Sequence, residues 1–255
     1  MSQQPVTELC AHSMSGMCYR DKDLVHDLIG KRTFTEVMFT QIMGRSPRAV
    51  DLRIVDAVLI TLMEHGLTPS AIAARLIYMS APENLQGAVS AGLLAVGSQF
   101  VGTMENCSGL LEQIMQAADK EQAALDIAHS FRQRGQHLPG FGHHLHKPDD
   151  PRSLKLIEIA RLEPELPQSH IHALQILGKA VDEVNGKHIT INATGAVAAL
   201  LGEIGIPTQL MRGFAIISRA AGLVSHIAEE QRIPTGRFIW NTIDKAIPYV
   251  KKDVL

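Results

Sequence analysis

The residues best suited to chemistry lie in one stretch, Pro139-Gly140-Phe141-Gly142-His143-His144-Leu145-His146-Lys147, which runs on to Asp150-Pro151-Arg152. Glycine lets backbone amides come close to a ligand. Imidazole polarises a carbonyl or moves a proton near neutral pH. The Arg152 guanidinium matches a carboxylate through a two-toothed fork. Such a loop suits an anionic substrate with a reactive carbonyl. His-His-x-His also invites a metal, but no carboxylate or cysteine stands at helical ligand spacing beside it, so no metal is expected.

The elements that position this loop read as helices. The chain has 255 residues, enough for one large domain or two small ones. Hydrophobic residues make up 45% and aromatics only 4%, with alanine, leucine, isoleucine, methionine and glycine abundant, which favours closely packed helices. Ser46-Pro47 predicts a helix start, followed by Val55, Val58, Leu59, Leu62 and Met63 at helical spacing up to Gly66. Thr68-Pro69-Ser70 starts another, carrying Ile72, Leu76 and Met79. From Leu85 to Gly97, Ala88, Ala91, Gly92 and Ala95 line one side, which fits a buried core helix or a dimer interface equally. Leu110 to Arg134 holds two helical patterns with a break near Lys120-Glu121; Ser153–Leu162, Gln168–Val184, Gly195–Gly202 and Thr208–Gln231 follow. No strand alternation, repeat or heptad series stands out, so the expected fold class is all-α.

A net charge of -2 gives no global pull toward nucleic acid or an anionic membrane. Cys10, Cys18 and Cys107 are too few and scattered for a disulfide framework, which fits a reducing, cytoplasmic setting. Met1 to Arg20 shows no basic region leading into an apolar run, so no signal peptide is expected, and no apolar run is long enough to span a bilayer.

Three segments resemble the citrate synthase superfamily, and within it the short citryl-CoA lyase-type modules such as the C-terminal module of ATP-citrate lyase. Gly140-Phe141-Gly142-His143 through Asp150-Pro151-Arg152 is similar to the signature G-[FY]-G-H…D-P-R and is the most specific. The second segment runs from Gly44-Arg45-Ser46-Pro47 through Glu64-His65-Gly66 to Gly102, with His65 at the first place of the "D-H-E" or "D-H-G" that precedes an "H-G-G-A" turn by about 35 residues. Counting on reaches Phe100 in Gln99-Phe100-Val101-Gly102, where the synthases carry histidine and the lyase modules tend to carry phenylalanine. A second lyase histidine would fall at Ala73. Asn192-Ala193-Thr194-Gly195 resembles "N-V-D-G", with Thr194 in place of the aspartate that serves as base; Arg219-Ala220-Ala221-Gly222 with His226 resembles "R-x-x-G-x-x-x-H". Together with the helices between them these segments cover roughly residues 40–250.

The resemblance implies a large helical domain of residues 1–102 and 191–255, a smaller one of 103–190 that closes over coenzyme A, and an intertwined homodimer or higher homo-oligomer. It implies a coenzyme A thioester as substrate, with a hydroxy di- or tricarboxylic acid, and carbon–carbon bond chemistry in the citryl-CoA lyase or citrate synthase sense. His143 would hydrogen-bond the keto oxygen, and Arg152 and Arg219, helped by His65, would hold carboxylates. Gly140, Phe141, Gly142 and Lys147 would lie on the coenzyme A side. Phe100 cannot donate to a thioester oxygen, and Thr194 is a poor base for a carbon acid. Losing such a donor costs about a hundred- to thousand-fold, and losing a general base about a hundred- to ten-thousand-fold. Three outcomes follow: lyase chemistry with recruited residues, a different thioester, or a silent binder; His144, His146 and His188 are the nearest recruits. Structural alternatives stand beside these roles: a carbonyl-capping loop histidine for His143, a salt bridge to Asp149 or Asp150 for Arg152, an internal ion pair for Arg219, a helix C-cap for His65, a solvated side chain for Lys147, and an N-cap at Gly195 for Thr194. His226 is expected to be structural.

Overall fold

A computed structural model describes residues 4–97 and 102–250 of the chain. Helices dominate, as composition and periodicity predict. Helix α1 (Phe34–Met43) starts with a reciprocal cap: the Thr33 hydroxyl accepts from the Glu36 amide, and the Glu36 carboxylate accepts from the Thr33 amide. Helix α2 (Ala49–Met63) begins at Arg48, not at the expected Ser46-Pro47. The start is set instead by Asp51, buried and accepting from the Arg48 amide and from the Arg45 and Arg48 guanidinium groups.

Helix α3 (Pro69–Ser80) starts where expected, with Thr68 as cap and Pro69 first. Helix α4 (Leu85–Leu94) stops short of Gly97. Its Gly92 lies against Leu223 and the Ser70 carbonyl, so part of the small-residue stripe serves the chain's own packing. Helices α5 (Thr103–Gln116) and α6 (Lys120–Gln133) flank a break that Asp119 caps. Helix α7 (Pro151–Arg161) and helix α8 (Ser169–Asn185) follow the histidine loop. Helix α9 (Ala193–Glu203) is buried along nearly its whole length, among α2, α5, α7 and α8. Helix α10 (Thr208–Arg232) is 25 residues long, about 37 Å, and crosses α2, α3, α4 and α5. Helix α11 (Gly236–Ala246) closes the described chain with Phe238, Trp240 and Ile243 exposed.

Helices α1 and α11 were not expected, nor were three short antiparallel strands, β1 (Cys10–His12), β2 (Met17–Tyr19) and β3 (Lys22–Asp23), paired Cys10 to Tyr19 and Cys18 to Asp23. The strands are too short for an alternating pattern to register. Cys10, Cys18 and Cys107 are free thiols, and burial pushes Cys107 up to about 12. No described helix is long and apolar enough to cross a membrane.

Candidate functional site

The site is assembled where the histidine loop meets the start of α9. Gly140 and Gly195 touch back to back: a Cβ on Gly195 would stand 2.5 Å from the Gly140 oxygen, and one on Gly140 would stand 2.6 Å from Cys107 Sγ. Gly140 and Gly142 have φ of 86° and 80°, values that side-chain-bearing residues rarely adopt. The Gly142 amide donates to the Thr190 carbonyl at 2.7 Å, the Asn192 amide donates to the Gly140 carbonyl at 3.0 Å, and Phe141 bridges to Ile191. The Phe141 amide donates to Leu138. The amides of Phe141 and Gly142 are therefore already engaged. Here the glycines serve close packing and left-handed turns, not a row of free donors.

His143 Nδ1 accepts from the Leu145 and His146 amides at 3.1 and 3.0 Å. That pattern assigns the ring proton to Nε2. Nε2 lies 3.3 Å from Arg152 Nη2, so two donors face each other. Such a pair calls for an oxygen between them. The His144 ring stacks on His143 at 4.8 Å, and His146 tilts over it at 4.4 Å. Desolvation, then His146 and Arg152, hold the His143 imidazole below the usual histidine range despite Asp150.

Asp150 is fully buried and caps α7 through the Arg152 amide. Its oxygens also accept from Arg152 Nε at 3.0 Å, Arg152 Nη2 at 2.8 Å and the Ala193 amide at 3.1 Å. Burial alone would raise this carboxyl; the hydrogen bonds from Arg152 outweigh it and hold the group below the usual range. Arg152 thus has the expected Asp150 partner and still turns Nη1 toward His65 Nδ1 at 3.4 Å.

His65 follows the end of α2 and does not cap it; Glu64 occupies the C-cap position. Desolvation, Arg152 and Arg219 push the His65 imidazole down. Arg219 is 7% exposed on α10, and its Nη1 has no hydrogen-bond partner. Desolvation lowers it, and the Glu64 carboxylate offsets part of that cost. The expected internal ion pair is not formed at hydrogen-bond distance among the described residues.

Asn192, not Thr194, caps α9, accepting from the Gly195 amide at 3.1 Å. The Thr194 hydroxyl donates to Asn192 Oδ1 at 2.7 Å and lies 2.9 Å from the Thr103 hydroxyl. Phe100 falls outside the described residues. Lys147 is exposed, and His188 is held between Asp182 at 2.7 Å and Asp149 at 3.1 Å.

His143, His146 and Asp150 bring ligand-type atoms within 4.8 Å of one another. The carboxylate arrives through the fold, where helical spacing could not show it. A cation does not suit this set: Asp150 is saturated by four donors, His143 Nδ1 by two amides, and the Arg152 guanidinium lies alongside.

Fold and side chains together define a helical protein that brings the histidine loop, the end of α2 and the middle of α10 together around His65, His143, Arg152 and Arg219. The chain matches the family described as citrate synthase, C-terminal domain, over residues 4–240, and belongs to the citrate synthase family. The structure of citryl-CoA lyase from Hydrogenobacter thermophilus superposes with a TM-score of 0.86 at 28% identity, covering 99% of this chain and 97% of that one. ATP citrate lyase from Methanothrix soehngenii, in complex with citrate and coenzyme A, superposes at 0.81 over 99% of this chain and 42% of that one; at 17% identity this likeness speaks for the fold. ATP-citrate synthase subunit 1 of Sordaria macrospora is 22% identical over 216 residues, which is 78% of this chain and 32% of that protein. The chain therefore spans about a third of the curated relatives it matches first.

Glu64, Thr103 and Asn192 were not singled out by sequence. Asn192 carried a signal, an Asn three residues before a helical Gly. Glu64 carried none, because its side-chain partner, His226, lies on α10.

Proposed function

We propose that this protein is a citryl-CoA lyase-type enzyme acting on a coenzyme A thioester of a hydroxy di- or tricarboxylic acid. The carrying observation is Arg219: a buried guanidinium with an orphaned donor, beside His65 and the Arg152–His143 donor pair. A buried cation is costly unless paired, and a substrate carboxylate is the natural partner. Arg152 and Arg219 would hold carboxylates, and His143 Nε2–H would donate to the keto or alkoxide oxygen. A neutral imidazole fits that role, because the hydrogen bonds at Nδ1 leave Nε2 as donor. The coenzyme A moiety would lie toward Gly140, Phe141, Gly142 and Lys147, with residues 103–190 closing over it and a second copy of the chain completing a cytoplasmic homodimer.

Cleavage of citryl-CoA would take the proton from the alkoxide-forming hydroxyl, break the adjacent carbon–carbon bond and return a proton to the thioester methylene. The last step lacks a carboxylate at position 194. Thr194 has its hydroxyl proton committed to Asn192, an observation that favours the second reading, a silent binder of coenzyme A and carboxylates. Citrate synthase-type acyl transfer is the third and needs the same missing base.

Purified protein supplied with citryl-CoA, and separately with acetyl-CoA and oxaloacetate, separates these readings by thioester loss. Cleavage that His143→Ala abolishes supports the lyase. Thermal shifts with coenzyme A and citrate but no turnover support the binder. Neither turnover nor any shift would sink both.

A further inference from the structure

The largest fully buried side chain of the described protein is Arg75 of α3. It lies outside the site, yet its hydrogen bonds lead there. Its Nη1 donates to Glu230 at 2.9 Å and to the Thr235 hydroxyl at 3.1 Å, and its Nη2 pairs with Glu229. Those acids balance its charge. Its Nε does something else: it donates to His226 Nδ1 at 3.0 Å. Arginine cannot accept, so the His226 ring proton belongs on Nε2. Nε2 stands 2.9 Å from Glu64 Oε2, at ion-pair distance but out of line for a good hydrogen bond. Glu64 Oε1 accepts from the His65 and Gly66 amides at 2.8 and 2.5 Å. The chain of contacts therefore ends on the backbone that aims the His65 ring.

Helix α10 carries Arg219, Gly222 and His226 on one face. Gly222 packs against the Met63 carbonyl so closely that a Cβ would collide with it. Arg219 and the tie to Glu64 thus share one rigid strut, pressed onto the end of α2.

We propose that Arg75, His226 and Glu64 are positioning residues for the site: Arg75 fixes the His226 ring, His226 fixes the Glu64 carboxylate, and Glu64 holds the His65 backbone so that its ring faces Arg152 beside Arg219. The proposal rests on the carboxylate reading of the site only for the choice of citrate as probe. The charged and titratable groups around His65 are Arg152 of α7, Arg219 of α10, Glu64 of its own segment, and His143, His144 and His146 of the loop.

The test uses the full chain with His226→Leu, His226→Gln and Glu64→Gln. NMR follows the His65 ring across pH without ligand, and calorimetry follows citrate binding. In the unmodified protein His65 is expected to titrate below the ordinary value of about 6.5. His226→Leu should return it toward that value and weaken citrate about tenfold, within the range for coupled neighbours. His226→Gln should restore both, because its amide oxygen can accept from Arg75 and its amide nitrogen can donate to Glu64. Glu64→Gln places a donor against His226 Nε2–H and breaks the same link from the His65 end, so it serves if His226→Leu does not fold. Combined with His65→Ala, His226→Leu should cost no further citrate affinity. An unchanged His65 titration in both link-breaking variants overturns the proposal. So does a glutamine variant as impaired as the leucine one, or a fully additive double variant. If His65 shifts as expected while the unmodified protein binds no citrate, the positioning role stands and the citrate assignment falls.

Discussion

Arg219→Met separates stability from binding, because the two should move in opposite directions. In the ligand-free protein the guanidinium is 7% exposed, with Nη1 unpartnered and the Glu64 carboxylate as a more distant balance. Methionine fills similar space without a charge, and Glu64 keeps His226 and two backbone amides as partners. Removing an unsatisfied buried polar group recovers about 1–3 kcal/mol. For a chain of this size that is about 2–4 °C per kcal/mol, so Tm should rise by roughly 2–12 °C. Citrate, by contrast, should lose a buried charge-assisted contact of about 2–5 kcal/mol, roughly 30- to 5,000-fold in Kd. Calorimetric melting and citrate titration on the same preparation measure both. A lower ligand-free Tm together with unchanged citrate affinity would show that Arg219 is a structural cation, and the carboxylate reading of the site would go with it.

Four other outcomes are expected. Gly195→Ala sets a methyl against the Gly140 carbonyl, where only backbone can yield, and should cost about 1–3 kcal/mol in chemical denaturation; a neutral result refutes the tight contact. Asp150→Asn keeps a cap for α7 but loosens Arg152, for about 2–3 kcal/mol and a marked loss of citrate affinity; Asp150 is depressed, so its contribution is present above pH about 4 and lost as pH falls through its lowered folded value, a drop the asparagine variant should lack. His65, His143 and His170 are all depressed, burial being the largest cause, so stability should fall as pH falls below about 6.5; His188 is raised by Asp182 and Asp149 and acts oppositely, so melting is followed in His188→Gln, where a flat profile between pH 7.5 and 5.5 contradicts the three shifts. Thr194→Asp should speed exchange of acetyl-CoA methyl protons with solvent by about a hundredfold or more, and no change would remove position 194 from the reaction.

Much of the framework is legible locally. Thr68-Pro69 and the break before Lys120 mark helix ends through capping chemistry that acts within a few residues. The histidine loop shows itself because glycine, histidine and arginine crowd together. What stays hidden is what depends on distant partners. Ser46-Pro47 looks like a start, but the buried Asp51 with Arg45 and Arg48 decides the boundary. The salt bridge from Asp150 to Arg152 is local and legible; that the same carboxylate also accepts from the Ala193 amide requires α7 and α9 to be adjacent. The three strands escape the reading because their pairs are short, and helix α11 because its apolar side chains are exposed.

The contact between Gly140 and Gly195 has a consequence for how this site can change. With no side chain between them, the loop bearing His143 and the first turn of α9 have no slack. Position 194 is therefore held at a fixed offset from the histidine whatever residue occupies it. The chemistry at that position can be rewritten one side chain at a time on an unaltered chassis, so a binder and a catalyst would be separated by a substitution rather than by a refolding.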